Sequence, residues 1–167
     1  MKRFFTFLII LMAVFILPIE SKAEDTVLSI GVSVNEVPKA FFGCWRIVAK
    51  LDDTNAYQTF KPQSVDMWNL TRVGDTITLT NPFTGASADI SLRAVEGNLI
   101  VFSKKAPYDN KVLTDTVSLR LDEGKFSGIN TLTLESFSLI DKSLLKTENA
   151  RYLIKGEKIS GESVIED

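Results

Sequence analysis

Phe41-Phe42-Gly43-Cys44-Trp45-Arg46-Ile47-Val48-Ala49-Lys50-Leu51 opens the patterned part of this chain. Trp45, Ile47, Ala49 and Leu51 fall on one side, and Cys44, Arg46, Val48 and Lys50 on the other. A period of two with one apolar side is the signature of a half-buried strand. Asp52-Asp53-Thr54-Asn55 then breaks the alternation.

Similar short runs follow. Val65 to Arg72 and Thr76 to Asn81 flank Val73-Gly74-Asp75, which predicts a tight hairpin. Ala88 to Ala94 alternates, and Glu96-Gly97-Asn98 turns it into Leu99 to Ser103. Thr116 to Asp122 carries Val117, Leu119 and Leu121 on one face, and Glu123-Gly124 leads into Lys125 to Glu135. Gly128 interrupts that last run as a bulge or sharp bend would. Phe137 to Thr147 is read as a short helix, from the spacing of Leu139, Ile140, Leu144 and Leu145. Asn149 to Lys155 is the closing strand, with Gly156 to Ser163 as a candidate extension past a bend.

About eight strands in sequential order predict an all-β fold, an eight-stranded antiparallel up-and-down barrel with one short helix near the C-terminus. Closure removes the two edges that an open sheet would expose. A two-sheet β-sandwich is the alternative, because the gaps at Asp52 to Ser64 and Lys104 to Thr114 leave room for crossing connections.

Upstream, Lys2 and Arg3 precede an apolar stretch from Phe4 to Pro18, and Ser21-Lys22-Ala23 supplies small residues for cleavage. Residues 1–23 are therefore read as a signal peptide, too short in its apolar part for a stable membrane span. Residues 24–38 read as a lead-in arm or linker, within which Val27, Ile30, Val32 and Val34 suggest a short strand. Residues 39–163 read as a single β-barrel domain and 164–167 as a tail. The expected location is the periplasm or the exterior of a bacterial cell, since a lone Cys44 permits no intrachain disulfide.

Of 19 basic and 21 acidic residues, the leader holds Lys2, Arg3, Lys22 and Glu20, so the remainder carries a net charge near −4. That balance argues against nucleic acid as a partner, and the Lys104-Lys105 doublet reads as a solvated loop edge. The absence of histidine removes Ser-His-Asp and Cys-His nucleophile pairs and histidine metal ligation. No catalytic residue, metal site or cofactor is expected. Asp66, Asp89 and Glu135 are the acids whose convergence across strands would make a carboxylate pair. Arg46, Arg93 and Arg120 oppose the apolar faces and read as a solvated outer wall.

Gly43-x-Trp45 at the start of the first strand, the meander after it and the late helix resemble the lipocalin-like (calycin) barrels, including the avidin-like ones. Thr114-Asp115 falls near the position of a lipocalin Thr-Asp pair, with Thr116 in place of the aromatic that follows there. The resemblance implies that a basic residue of the last strand packs over the tryptophan, and Arg151 would take that part against Trp45. It also implies capture of a small apolar or amphipathic molecule. Trp45 at the floor, Trp68, and Tyr57, Phe83 and Tyr108 towards the mouth are the candidate ligand contacts. An envelope structural or protein-interaction module, docking through Val27 to Val37 or Phe137 to Leu145, is the alternative function.

Overall fold

The computed structural model describes residues 32–161 and, as a short strand, residues 164–165. The leader, residues 24–31 of the lead-in and the rest of the tail lie outside the described residues. Among the described residues ten strands are present: β1 (Gly43–Thr54), β2 (Gln63–Val73), β3 (Thr76–Thr80), β4 (Ser87–Asp89), β5 (Ser91–Glu96), β6 (Leu99–Tyr108), β7 (Lys111–Asp122), β8 (Lys125–Phe137), β9 (Leu144–Ser160) and β10 (Val164–Ile165). The first nine form one antiparallel sheet in the order β4-β3-β2-β1-β9-β8-β7-β6-β5, and β10 adds to β2 in parallel.

The two ends of that order, β4 and β5, are neighbours in the chain, with only Ile90 between them. The sheet therefore curls back on itself into a nearly closed barrel. Its one interruption is a seam where β4 lies beside β6 without a ladder between them. Ile90 donates its backbone N–H to Ile77 at 2.9 Å and so stays on the β3 side, while Ser91 pairs with Ser103 of β6. A single hydrogen-bonded sheet replaces the two-sheet sandwich.

Three local readings change. The run from Ala88 to Ala94 is split at Ile90, so nine strands make the barrel where about eight were expected. The gap from Lys104 to Thr114 is a hairpin, with β6 and β7 paired out to Tyr108 and Lys111 around a turn in which Asp109 has a φ of 53°. The predicted helix is absent. Residues 138–143 form a tight loop in which Lys142 donates to the Ser138 carbonyl and Asp141 accepts from Ser143. Leu139, Ile140, Leu144 and Leu145 are all exposed there, so their helical spacing faces nothing that would bury it.

In the lead-in, Val34–Glu36 forms a 3-10 turn and a second turn spans Lys39–Phe41, while Val27 and Ile30 of the expected strand lie outside the described residues. Together the two turns set Val37, Phe41 and Phe42 into one end of the barrel, among Trp45, Trp68, Phe102 and Phe126. Trp45 meets Phe126 tilted at 5.0 Å between centroids, Phe41 meets Phe102 edge-on at 6.0 Å, and Trp68 stacks on Phe126 at 6.2 Å. Burial of each such side chain contributes about 1.5–3 kcal/mol, so this packed floor is the main apolar anchor of the fold.

Glycine makes the wall tight enough to wrap the floor. A Cβ on Gly128 would stand 2.1 Å from the Ser118 carbonyl oxygen, and one on Gly156 would stand 2.3 Å from the ring of Phe126. At Gly128 the neighbouring backbone occupies the space a side chain would need, and at Gly156 the Phe126 ring does. Replacement of Gly128 by Ala is expected to lower the unfolding free energy by about 3 kcal/mol, an overpacking cost. Urea denaturation checks this, and an unchanged midpoint refutes the close-approach account.

Candidate functional site

Antiparallel order puts the turns at Gly74-Asp75, Gly97-Asn98 and Glu123-Gly124 at the plugged end. Loops 55–62, 81–86, 109–110 and 138–143 lie at the other end. The plugged end is locked. The Trp45 indole N–H donates to the Phe41 carbonyl at 2.9 Å, and the Lys158 ammonium lies 5.5 Å from the Trp45 ring while donating to the Ala40 carbonyl at 3.0 Å. Lys158 stands directly across the ladder from Trp45.

The expected partner, Arg151, is elsewhere: it pairs with Asp53 and Thr131 in the ladder, and its guanidinium lies 3.5 Å from Asp52. The tryptophan does have a cation from the closing strand, but it comes from the stretch past Gly156 and not from the run Asn149 to Lys155. Seven residues separate the two positions, or about 23 Å of extended chain.

At the open end the β1–β2 loop folds inward. Phe60 is buried, the Tyr152 hydroxyl donates to the Lys61 carbonyl at 2.9 Å, and Thr59 donates to Glu148 at 2.7 Å. The β1–β9 side of the mouth is thereby covered. What stays open is the seam, where a pocket of about 340 Å3 lies between the β3–β4 region and the upper part of β6 and β7. Leu79, Ala86, Ala88, Ala106 and Leu113 supply its apolar surface, and Asp66, Asn81, Lys104 and Asp115 its polar groups.

These polar groups belong to the inward alternation. Ile100, Phe102 and Lys104 follow one another on the inner face of β6, as Leu119, Val117 and Asp115 do on β7, and Lys104 faces Asp115 across the ladder. The Lys104 ammonium reaches Asp115 Oδ2 at 3.3 Å. Asp66 accepts from its neighbour Met67 N–H at 2.8 Å, from the Trp68 indole at 3.2 Å, and from the Asn81 amide. Asn81 in turn accepts from Phe83 N–H and Thr84 N–H, so one side chain shapes the β3–β4 loop and holds Asp66.

Asp115 is 6% exposed, and among the described residues its Oδ1 and the neighbouring Asn130 Oδ1 have no hydrogen-bond partner. Burial pushes the Asp115 carboxyl above the ordinary aspartate range. The Lys104 ammonium and the Asn130 amide pull it back, and the Asp66 charge adds to the upward push.

The structure divides the aromatic candidates. Trp45 and Trp68 are buried at 1% and 4% exposure, packed in and just above the floor. Tyr57, Phe83 and Tyr108 sit on three different open-end segments, at 74%, 81% and 73% exposure, and none lines the pocket. The carboxylates do not converge: Asp66 is inside, Asp89 takes a bond from Thr78 on the outer face, and Glu135 lies on the face of β8 opposite Leu134. Lys104 is no loop edge. It lies one position past the run Leu99 to Ser103, and Asp115 one position before the run that starts at Thr116, so neither shows in the local pattern. Carrying each alternation inward to the next same-face position shows both charges on the apolar side.

Chemically, the pocket offers hydrogen bonds, two carboxylates and one ammonium beside an apolar wall. Cys44 is on the outer face and only partly buried. Among the described residues no three Cys, Asp or Glu side chains are grouped to hold a metal ion. Compared with known proteins, the chain matches no family model, no curated protein and no solved structure.

The raised Asp115 carboxyl gives a pH test. The folded protein takes up this proton more readily than the unfolded chain, so ionisation costs stability as pH rises from the unfolded value near 3.8 through the folded one. Asp115→Asn has no such proton to lose. Its stability relative to the parent is expected to improve across that window in urea denaturation at a series of pH values. Parallel profiles for the two proteins count against the burial account.

Proposed function

We infer that this protein is an exported, non-catalytic lipocalin-like barrel that binds a small amphipathic molecule in the seam pocket. Strands β4 and β5, taken as one stave kinked at Ile90, give an eight-stave meander of the lipocalin-like kind. Trp45 at the start of the first strand and the Lys158 cation over its ring support the same likeness. The leader read in residues 1–23 supports export.

One contrast carries the reading: the barrel is filled with rings at one end and carries a pocket of about 340 Å3 at the other. A pocket with an apolar wall and a few placed polar groups is the usual form of a small-molecule site. Leu79, Ala88 and Leu113 would take the apolar part of the ligand, with Asn81, Lys104 and Asp115 orienting its polar part. Trp68, bonded to Asp66 on the pocket lining, serves as the reporter.

A protein-interaction module is the second reading, and a specific feature favours it. Tyr57, Phe83, Tyr108, Leu139, Ile140, Leu144 and Leu145, most of the exposed large hydrophobic side chains among the described residues, all lie at the open end. A rim of that kind suits a partner surface.

Solvent extraction of the purified protein followed by mass spectrometry separates these readings. A small amphipathic compound is expected to accompany the parent protein and to be lost from Ala88→Phe, in which the new ring fills the pocket. Returning the extract to stripped protein is expected to change Trp68 emission. Identical, empty extracts from both proteins would overturn the small-molecule reading.

A further inference from the structure

The barrel has a second and larger concavity, on its outside. It measures about 700 Å3 and lies across β1, β9, β8, β7 and the start of β6 at Leu99, on the face turned away from the core. Ladder register sets two rows of side chains there. Lys50, Leu153, Ile129 and Ser118 form one, and Val48, Lys155, Ser127 and Arg120 form the other. The wall is hollowed where Gly128 lets β7 and β8 approach too closely for any Cβ.

Val48, Ile129 and Leu153 form an apolar floor, with Leu153 itself 48% exposed. Around it Lys50, Lys155 and Arg120 are exposed, and no Asp or Glu lines the groove. Among the described residues none of these three cations forms an ion pair, and Arg120 spends one N–H on Asn98 at 3.2 Å. The whole chain has a formal net charge of −2, so three unneutralised cations on one hollow concentrate positive potential against the overall sign.

We propose that this outer groove binds a single-chain amphipathic anion, its alkyl chain along Val48, Ile129 and Leu153 and its carboxylate-type head between Lys155 and Arg120. Ionised acceptors make the stronger hydrogen bonds with ammonium and guanidinium groups, and the apolar floor rewards a chain over a bare anion. The hollow favours one recessed molecule. A bilayer surface is met by protruding side chains, which on this protein stand at the open end, where Ile140 is 96% exposed. The groove shares no lining residue with the seam pocket, so the proposal does not depend on the reading of that site.

Calorimetric titration with dodecanoate, dodecyltrimethylammonium and dodecyl maltoside, each below its micelle concentration, tests this directly. Dodecanoate is expected to bind about tenfold or more tightly than the other two. Lys155→Glu with Arg120→Glu is expected to weaken it by about the same factor through the head, and Leu153→Asp through the chain. All three positions are exposed, and circular dichroism verifies that the variants fold. Ala88→Phe, which fills only the seam pocket, is expected to leave dodecanoate binding unchanged.

Equal affinity for the three amphiphiles, or binding indifferent to the charge reversals, overturns the proposal. So does loss of binding in Ala88→Phe, which moves the anion to the seam, and so does binding to anionic phosphatidylglycerol vesicles with none to monomeric dodecanoate. No binding to any of the probes overturns it outright.

Discussion

Pairing of β1 with β9 is the constraint from which the rest of the molecule follows. It joins the first long strand of the barrel to the last across about a hundred residues of chain, and it turns a meander into a nearly closed wall. Lys158 comes to stand beside Trp45 only because of it. The same ladder brings Gly156 beside Ile47 on one side and Phe126 on the other, where the missing side chain makes room for the aromatic ring. Loop-closure entropy must be met before such distant contacts contribute, so the floor has to be strong. Six aromatic rings with Val37 between them meet that need.

Closure at β1–β9 leaves the break in the sheet elsewhere, at β4 and β5. A break in a β-wall exposes unpaired backbone and invites association with other strands. Here Lys104, Lys105 and Pro107 lie on the stretch of β6 beyond its last β5 partner, and proline, which has no N–H to donate, is tolerated there because no β5 residue pairs with that stretch. The interruption also leaves room for the pocket. Polar side chains can face inward at this level without meeting the packed floor, and Asp66, Lys104 and Asp115 do so. One feature of the topology thus accounts for the protected edge, the opening and the interior charges.

Much of the architecture was legible in the sequence, for physical reasons that differ by element. β1 and β7 alternate most clearly, since one face meets apolar core and the other water. Hairpins at Gly74, Gly97 and Glu123-Gly124 were legible because such turns need positive φ, which glycine adopts at little cost, and all three glycines have it. The helix over Phe137 to Thr147 was misread because apolar spacing reports a face without reporting whether anything packs against it. The cation over Trp45 was misassigned for a related reason: Lys158 lies in a stretch whose alternation is weak, and Arg151 in one where it is strong. The pocket was least legible, since Asn81, Lys104 and Asp115 are drawn from three separate runs.

By itself, the sequence determined the all-β class, the positions of most turns, the inward set of large side chains and the chemistries that a chain without histidine and with one cysteine lacks. These depend on local periodicity, on backbone conformational preference and on composition, all of which can be read one segment at a time. Only the tertiary structure decided which strands are neighbours, where the wall stays open, which cation covers Trp45 and which charges meet inside. Those depend on register between segments far apart in the chain, where a one-residue slip exchanges the two faces of a strand. Pairing is a property of the closed sheet, and no single strand carries it.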